Sequence, residues 1–240
     1  MKKVMEKKLL EFTKINLMEK YAIILAAGIG SRMNNPLPKQ FHLIAGKPLL
    51  YYTIQTFLNS YEDLKLILVL PEEFLGAGQE IIDAYFDYNR VRLTVGGRTR
   101  FHSVQNGLKL VEDNSIVFVH DGVRCLLTEA LIHRCYDAVL KFGSAIPVIP
   151  SKDSVRIITH EGNEAVDREI IRLVQTPQVF YSKILLPAFN IDFKDKFTDE
   201  ASVVEAFGLK TYLVEGEINN IKITTPMDLV IAEKLILSTF

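Results

Sequence analysis

Three short stretches concentrate the residue types that handle phosphates and nucleobases. The first is LAAGIGSRM over 25 to 33, followed by Pro38-Lys39-Gln40. Gly28 and Gly30 let backbone N–H groups approach a polyphosphate closely, while Arg32 and Lys39 supply permanent charge to neutralise its oxygens. A P-loop requires GK[ST] after its second glycine, and the dinucleotide fingerprint requires a third glycine where Met33 stands. Neither motif is present. Standing alone, the stretch is equally compatible with a Gly-rich turn bearing solvated cations.

The second stretch is GGRTRFHS over 96 to 103, whose paired glycines expose backbone groups able to read a flat base edge, with the Ser103 hydroxyl nearby. A tight turn leading into a helix is the plainer reading. The third is VHDGVR over 119 to 124, at a predicted strand's C-terminal end, where open α/β sheets place ligands. Asp121 there suits a divalent cation or a substrate hydroxyl and Arg124 suits an anion, unless the two form a simple ion pair. His102 and His120 have no carboxylate or nucleophile at a recognisable spacing and read as packed or loop histidines. Lys222, within NIKIT, points either at the site or at solvent; Cys125 has no support as a nucleophile.

These residues need a frame, and the hydrophobic pattern supplies one. Apolar runs at 21–27, 64–70, 91–95, 115–120 and 144–150 alternate with helical spacing over 48–59, 72–88, 101–112 and 128–142. Runs apolar on both faces predict strands covered on two sides, hence a doubly wound, mostly parallel α/β sheet. Residues 151–174 alternate differently, with a turn at Glu161-Gly162-Asn163, and predict a protruding β-hairpin that packs on another subunit, because two strands are only marginally stable alone. Further elements are helices near 182–189 and from Thr198-Asp199-Glu200, strands near 210–214 and 220–223, and a last helix capped by Thr225-Pro226. Residues 21–240 read as a single domain; residues 1–20 form an extension of unread role, and Met18 could itself be the start.

Composition sets the outer bounds. The 240 residues carry a net charge of −1 with no basic stripe, which argues against nucleic acid as a partner. No apolar run approaches the roughly 20 residues that span a bilayer. The charged start lacks a signal peptide's apolar segment, and the two cysteines show no CxxC spacing, so a reduced, cytoplasmic setting is expected.

Taken in order, LAAGIGSRM, PKQF, GGRTRFHS, VHDGVR, VQTPQVF (174–180), FTDEASVVEAFG (197–208) and NIKITTPMDL (220–229) closely resemble the cytidylyltransferase family of the non-mevalonate isoprenoid pathway, from about Tyr21 to the C-terminus. The resemblance implies a Rossmann-like nucleotidyltransferase fold, Mg²⁺ bound mainly through CTP phosphates, and a homodimer interlocked through the β-arm at 151–174. It places Ala26, Ala27, Gly28, Arg32 and Lys39 on the CTP loop, Gly97, Arg98 and Ser103 at the cytosine, and Gly122 at the ribose. Asp121, Arg124, Thr176 and Lys222 fall on the side of the sugar-alcohol phosphate, with Ser154 and Arg168 on an arm that reaches the neighbouring subunit's site. Arg32, Lys39 and Lys222 are the residues the resemblance makes catalytic, and Asp121 the protein neighbour of the metal. The chain departs from the family pattern at Cys125, where Pro is usual, at Ser154, where Thr is common, and at Arg98, where an acid often stands.

The implied reaction is attack of a phosphate-monoester oxygen on the α-phosphorus of CTP with release of pyrophosphate. An acceptor phosphate already ionised at neutral pH needs no general base, which agrees with the missing histidine constellation. Methylerythritol phosphate is the expected acceptor, favoured by TDEASVVEAFG and Val166-Asp167-Arg168, with ribitol phosphate as the alternative. A nicotinamide oxidoreductase is disfavoured by Arg32, by Met33 and by the lack of an acid after the second strand. A non-catalytic nucleotide-binding module is disfavoured by the full set of cations.

Overall fold

The computed structural model describes residues 18–28 and 37–239. Its centre is a run of parallel strands, β1 (Lys20–Leu25), β4 (Leu64–Leu70), β5 (Val91–Val95) and β6 (Ile116–Asp121), with β1 between β4 and β6, while β2 (Leu43–Ile44) and β3 (Lys47–Pro48) pair as a short separate ribbon. β1, β4 and β6 are buried almost throughout because helices cover both faces of the sheet. On one face Ala22, Ile24, Leu66 and Phe118 pack against α1 (Leu49–Ser60), α2 (Leu75–Tyr85) and α4 (Glu129–Phe142). On the other, Ile23, Val69, Val117 and Val119 pack against α3 (Arg100–Leu108), α5 (Ser182–Ala188) and α6 (Glu200–Ala206). The doubly wound α/β class is as the hydrophobic pattern requires.

Helix ends follow local chemistry. Thr99, Thr128 and Asp199 cap α3, α4 and α6 by accepting backbone N–H groups, and α4 stops at Gly143, whose φ of 85° is favourable for glycine. Thr225 and Pro226 open the last helix, α7 (Pro226–Thr239), where the Asp228 carboxylate also accepts from the Thr224 and Thr225 amides. Leu229, Ala232 and Ile236 of α7 close a third apolar cluster over Leu49, Val123 and Ile223.

The structure differs from the sequence-based expectation in four places. Residues 220–223 form no strand; the Asn220 side chain donates instead to Thr176 O and the Ile223 amide to Val123 O, with no ladder between them. The strand expected near 210–214 is β12 (Leu213–Glu215), paired with β7 (Ser144–Pro150). The helical stretch after β4 begins as a 3₁₀ turn at Glu72–Phe74, and α3 stops at Leu108. Last, β11 (Gln178–Tyr181) runs antiparallel between β6 and β7, making the sheet mixed. Four residues with two apolar side chains, wedged between the Thr176-Pro177 cis bond and α5, give no periodic signal.

The arm is a hairpin of β8 (Val155–Thr159) and β9 (Gly162–Val166) outside the main sheet, and β10 (Arg172–Val174) returns the chain to β7. Its turn is His160-Glu161, with Gly162 at a φ of 137° opening the second strand. Ile157 and Ile158 are 55% and 80% exposed, so the hairpin has no core within its own chain.

Fully buried Gln178 joins β11 to the site-bearing α6: its amide nitrogen donates to Asp199 at 2.8 Å and its oxygen accepts from the Ala201 amide at 2.8 Å. Gln178→Leu strands both partners and is expected to lower unfolding free energy by about 2–4 kcal/mol. Urea denaturation of the two proteins checks this; a loss within about 0.5 kcal/mol would show that the clasp is not structural.

Candidate active site

The site lies where the parallel strands end. Beyond each strand the chain stays in register for one more hydrogen bond: Ala26 donates to Val69 O at 2.9 Å, Gly96 to Leu70 O at 2.7 Å and Gly122 to Leu25 O at 2.9 Å. The loops after β1, β5 and β6 therefore enter the site on a rigid base. After β5 the paired glycines are set by crowding. A Cβ on Gly96 would lie 2.3 Å from Ala27 Cβ, and one on Gly97 would lie 2.8 Å from the backbone carbon of His102. Buried Gln40 fixes the first loop by donating to Ala26 O at 2.6 Å, and Thr53 donates to Gly122 O at 3.2 Å. The Ser103 hydroxyl accepts from the Gly97 amide at 3.0 Å and donates to Thr99 O at 3.0 Å, so it shapes the turn.

Together these loops enclose a cavity of about 690 Å³. Its wall holds Ala26, Ala27, Gly28 and Lys39 from the first stretch, Gly97, Arg98 and Ser103 from the second, and Asp121 and Lys222. Lys39 reaches across to donate to Ile223 O at 2.8 Å, tying the Pro38-Lys39-Gln40 segment to the one that carries Lys222. The volume is that of a pocket for a small organic ligand.

Charge is concentrated around Asp121. One of its oxygens accepts from Arg100 Nε and Nη2 at 3.4 and 3.3 Å; the other lies 2.8 Å from Lys222 Nζ and 3.6 Å from Arg124 Nε. Burial opposes ionisation, but Arg100, Lys222 and Arg124 outweigh it and hold Asp121 far below the usual carboxylate range. Arg100 also grips fully buried Glu200, with Nη1 on one oxygen and Nη2 on the other at 3.2 Å. Burial raises the Glu200 carboxyl above its ordinary range, and the Arg100 guanidinium across both oxygens opposes that rise.

Some expected site residues stand elsewhere. Gly122 lies under the cavity floor, where a Cβ would press to 3.1 Å on Ala26. Arg124 turns inward and donates to Asn220 O at 2.7 Å. Thr176 is buried behind Asp121, its hydroxyl accepting from the Asp121 amide at 3.1 Å. Ser154 and Arg168 are exposed on the arm, where Arg168 donates to Lys152 O at 3.2 Å and meets Glu169. Arg32 lies outside the described residues. Conversely, Arg100, Gln40 and Thr224 also line the cavity and Glu200 lies behind it, though the sequence reading singled out none of them. The second arginine of GGRTR was the available signal for Arg100; nothing in the spacing pairs it with Glu200, a hundred positions away.

The expected metal role of Asp121 is not what the geometry offers. Both oxygens already face cations, and the described residues contain no group of three or more His, Cys, Asp or Glu able to hold a metal. The donor set does not fit a protein-held divalent ion. His120 is fully buried between Thr176 Oγ1, 3.0 Å from Nδ1, and Arg124 O, 3.3 Å from Nε2; burial lowers its pKa to about 3, so the ring is neutral and structural. Burial pushes the Cys125 thiol up to about 12, which removes it as a nucleophile.

A mixed, largely parallel α/β sheet with a glycine-floored, cation-walled cavity at its strand ends defines a protein of the nucleotide-binding Rossmann-like class. Residues 20–238 match the family model of 2-C-methyl-D-erythritol 4-phosphate cytidylyltransferase (IspD), and the chain belongs to that family. It is 46% identical over 216 residues to the enzyme of that name from Bacteroides fragilis, covering 90% of this chain and 98% of the relative. Against that from Azobacteroides pseudotrichonymphae identity is 45% over 224 residues, covering 92% and 100%. Among solved structures, 4-diphosphocytidyl-2C-methyl-D-erythritol synthase from Anaerococcus prevotii superposes with a TM-score of 0.79 at 30% identity, covering 92% of this chain and 99% of the other. The Thermus thermophilus cytidylyltransferase gives 0.71 at 32% identity, covering 91% and 98%.

Neutral burial of His120 has a pH signature. Its folded pKa is below the ordinary 6.5, so its contribution is complete above 6.5 and is lost as pH falls toward about 3, where the unfolded chain binds a proton the folded one refuses. Unfolding free energy should therefore fall more steeply between pH 6 and 4 in the natural protein than in His120→Gln, by up to about 1.4 kcal/mol per pH unit. Identical slopes in denaturant titrations would show that His120 is protonated in the fold.

Proposed function

We propose that the chain transfers the cytidylyl group of CTP to 2-C-methyl-D-erythritol 4-phosphate, giving 4-diphosphocytidyl-2-C-methyl-D-erythritol and pyrophosphate, in the cavity at the strand ends. The observation that carries the site is the convergence of Lys39, Lys222, Arg98 and Arg100 on one glycine-floored cavity. An acceptor phosphate oxygen attacks the α-phosphorus, the bond to the α,β-bridging oxygen breaks, and pyrophosphate leaves. Positioning and charge neutralisation carry such a step. Lys39, with Arg32 assigned by its motif, faces the triphosphate; Lys222 stands between donor and acceptor. Ala26, Ala27 and Gly28 form the backbone cradle, the Gly97 backbone held by Ser103 reads the base with Arg98 beside it, and Gly122 sets the ribose floor. Asp121 faces the acceptor, and Arg124 and Thr176 hold it from behind.

A divalent cation such as Mg²⁺ would enter on the nucleotide's own phosphate oxygens. No general base is assigned, and the neutral, enclosed His120 agrees with that. The arm at 151–174 would complete the neighbouring subunit's site in a homodimer, bringing Ser154 and Arg168 to the acceptor phosphate. Residues 21–240 form the nucleotidyltransferase domain under this reading, after an N-terminal extension. No helix of the described residues is long and apolar enough to cross a membrane. A cytoplasmic setting, where the buried thiols of Cys125 and Cys135 stay reduced, belongs to the same proposal.

Pyrophosphate release should require CTP and methylerythritol phosphate together, with UTP or ribitol phosphate at least about a hundredfold poorer in kcat/KM, because a site built on fixed hydrogen bonds rejects ligands that leave them unpaired. Equal turnover of ribitol phosphate would move the enzyme to the other acceptor. For the shared site, Lys39→Ala and Arg168→Ala, each inactive alone, are co-expressed so that dimers assemble at random. Half the dimers are mixed and half of their sites intact, so activity should return to roughly a quarter of the natural level. No recovery would place Arg168 in its own chain's site.

A further inference from the structure

We infer that Glu200 is a positioning residue for the transfer: it holds Arg100 so that Asp121 keeps one oxygen for Lys222. The role rests on the cytidylyl-transfer reading above. Three cations, Arg100, Lys222 and Arg124, lie against the single Asp121 carboxylate. A carboxylate offers a guanidinium two parallel contacts, so an arginine with no other partner takes both oxygens. Arg100 does not. It gives Asp121 two weak contacts on one oxygen, at 3.3 and 3.4 Å, and spends its bidentate grip on Glu200. The second Asp121 oxygen remains for Lys222 Nζ at 2.8 Å, and that bond places the ammonium on the cavity wall.

Glu200 itself is fixed for this task. It is the first residue of α6, wholly buried, and its neighbours are bolted to β11: Gln178 holds both the Asp199 carboxylate and the Ala201 amide at 2.8 Å. Arg100 is likewise the first residue of α3, behind the Thr99 cap. Two helix starts and one strand end thus meet through one guanidinium. Glu200 reaches the ligand side only through Arg100 and is absent from the cavity wall.

Glu200→Gln keeps the shape and removes the charge. Arg100 should then turn to Asp121 and displace Lys222. The cavity gains net positive charge, so ground-state binding of two anions is retained while the placed ammonium is lost. Expected is a kcat about tenfold or more lower, with KM for both substrates within about threefold. In a Lys222→Ala background the same substitution should lower kcat less than about twofold further, because the group it positions is gone. Equal losses in both backgrounds would make Glu200 merely structural and overturn the inference. If Glu200→Gln does not fold, Arg100→Lys, which cannot grip Glu200 through a bidentate fork, is expected to give the same Lys222-dependent loss. The natural protein is assayed first, and absence of pyrophosphate release there would fault the reaction assigned. Nitrogen NMR of lysine-labelled protein reads the positioning without turnover: the Lys222 ammonium signal, protected by its bond to Asp121, should be visible in the natural protein and lost in Glu200→Gln, and an unchanged signal refutes the role.

Discussion

Keeping several cations close together before any anionic substrate arrives is the constraint around which this protein is built. Two unit charges 4 Å apart in a partly buried site repel by about 4 kcal/mol at an effective dielectric of 20. Asp121 and Glu200 offset that repulsion, and Arg100 joins them into one buried network. Both acids sit against the Arg100 guanidinium, and both need elements that hold them still. β6 ends at Asp121, α3 begins at Arg100 and α6 begins at Glu200, so three separate parts of the chain are committed to one set of charges.

The same logic explains why so many buried polar groups surround the cavity. Gln40, Gln178, Asn220 and Thr176 are each enclosed, and each ties a loop to a neighbouring element by a bond to backbone or side chain. A loop carrying unpaired backbone groups could not lie against a dry core. These side chains supply the missing partners, and Ala26, Gly96 and Gly122 consequently extend the hydrogen bonding of the sheet beyond β1, β5 and β6. Glycine is required at 96 and 97 because neighbouring chain segments leave no room for a Cβ.

The arm answers a different demand. Its strands carry isoleucines outward, it stands outside the main sheet, and Arg168 is absent from the cavity wall. Such a hairpin gains stability only by packing on something else. Ownership of the site by two chains would make assembly and activity a single event, since neither subunit alone would present a complete acceptor side.

Periodicity was enough to read the five long strands, the helices between them and the protruding hairpin, because burial on two faces, burial on one stripe and burial on neither leave different marks on a sequence. The glycine turns and the cation at 39 were legible as well, since polyanion binding restricts residue type, whereas the spacing around Lys222 left it between the site and solvent and only the family resemblance placed it. β11 was not, being too short to show a period and inserted against the direction of its neighbours. Nor could the sequence say that Arg124 and Thr176 face inward, that Lys222 rests on Asp121, or that Asp121 is surrounded by cations rather than open to a metal. Those outcomes depend on which distant segments meet. The partner of Arg100 is a hundred residues away and is decided only when α6 is bolted onto β11, because electrostatic pairing acts over a few ångströms of space and is indifferent to separation along the chain.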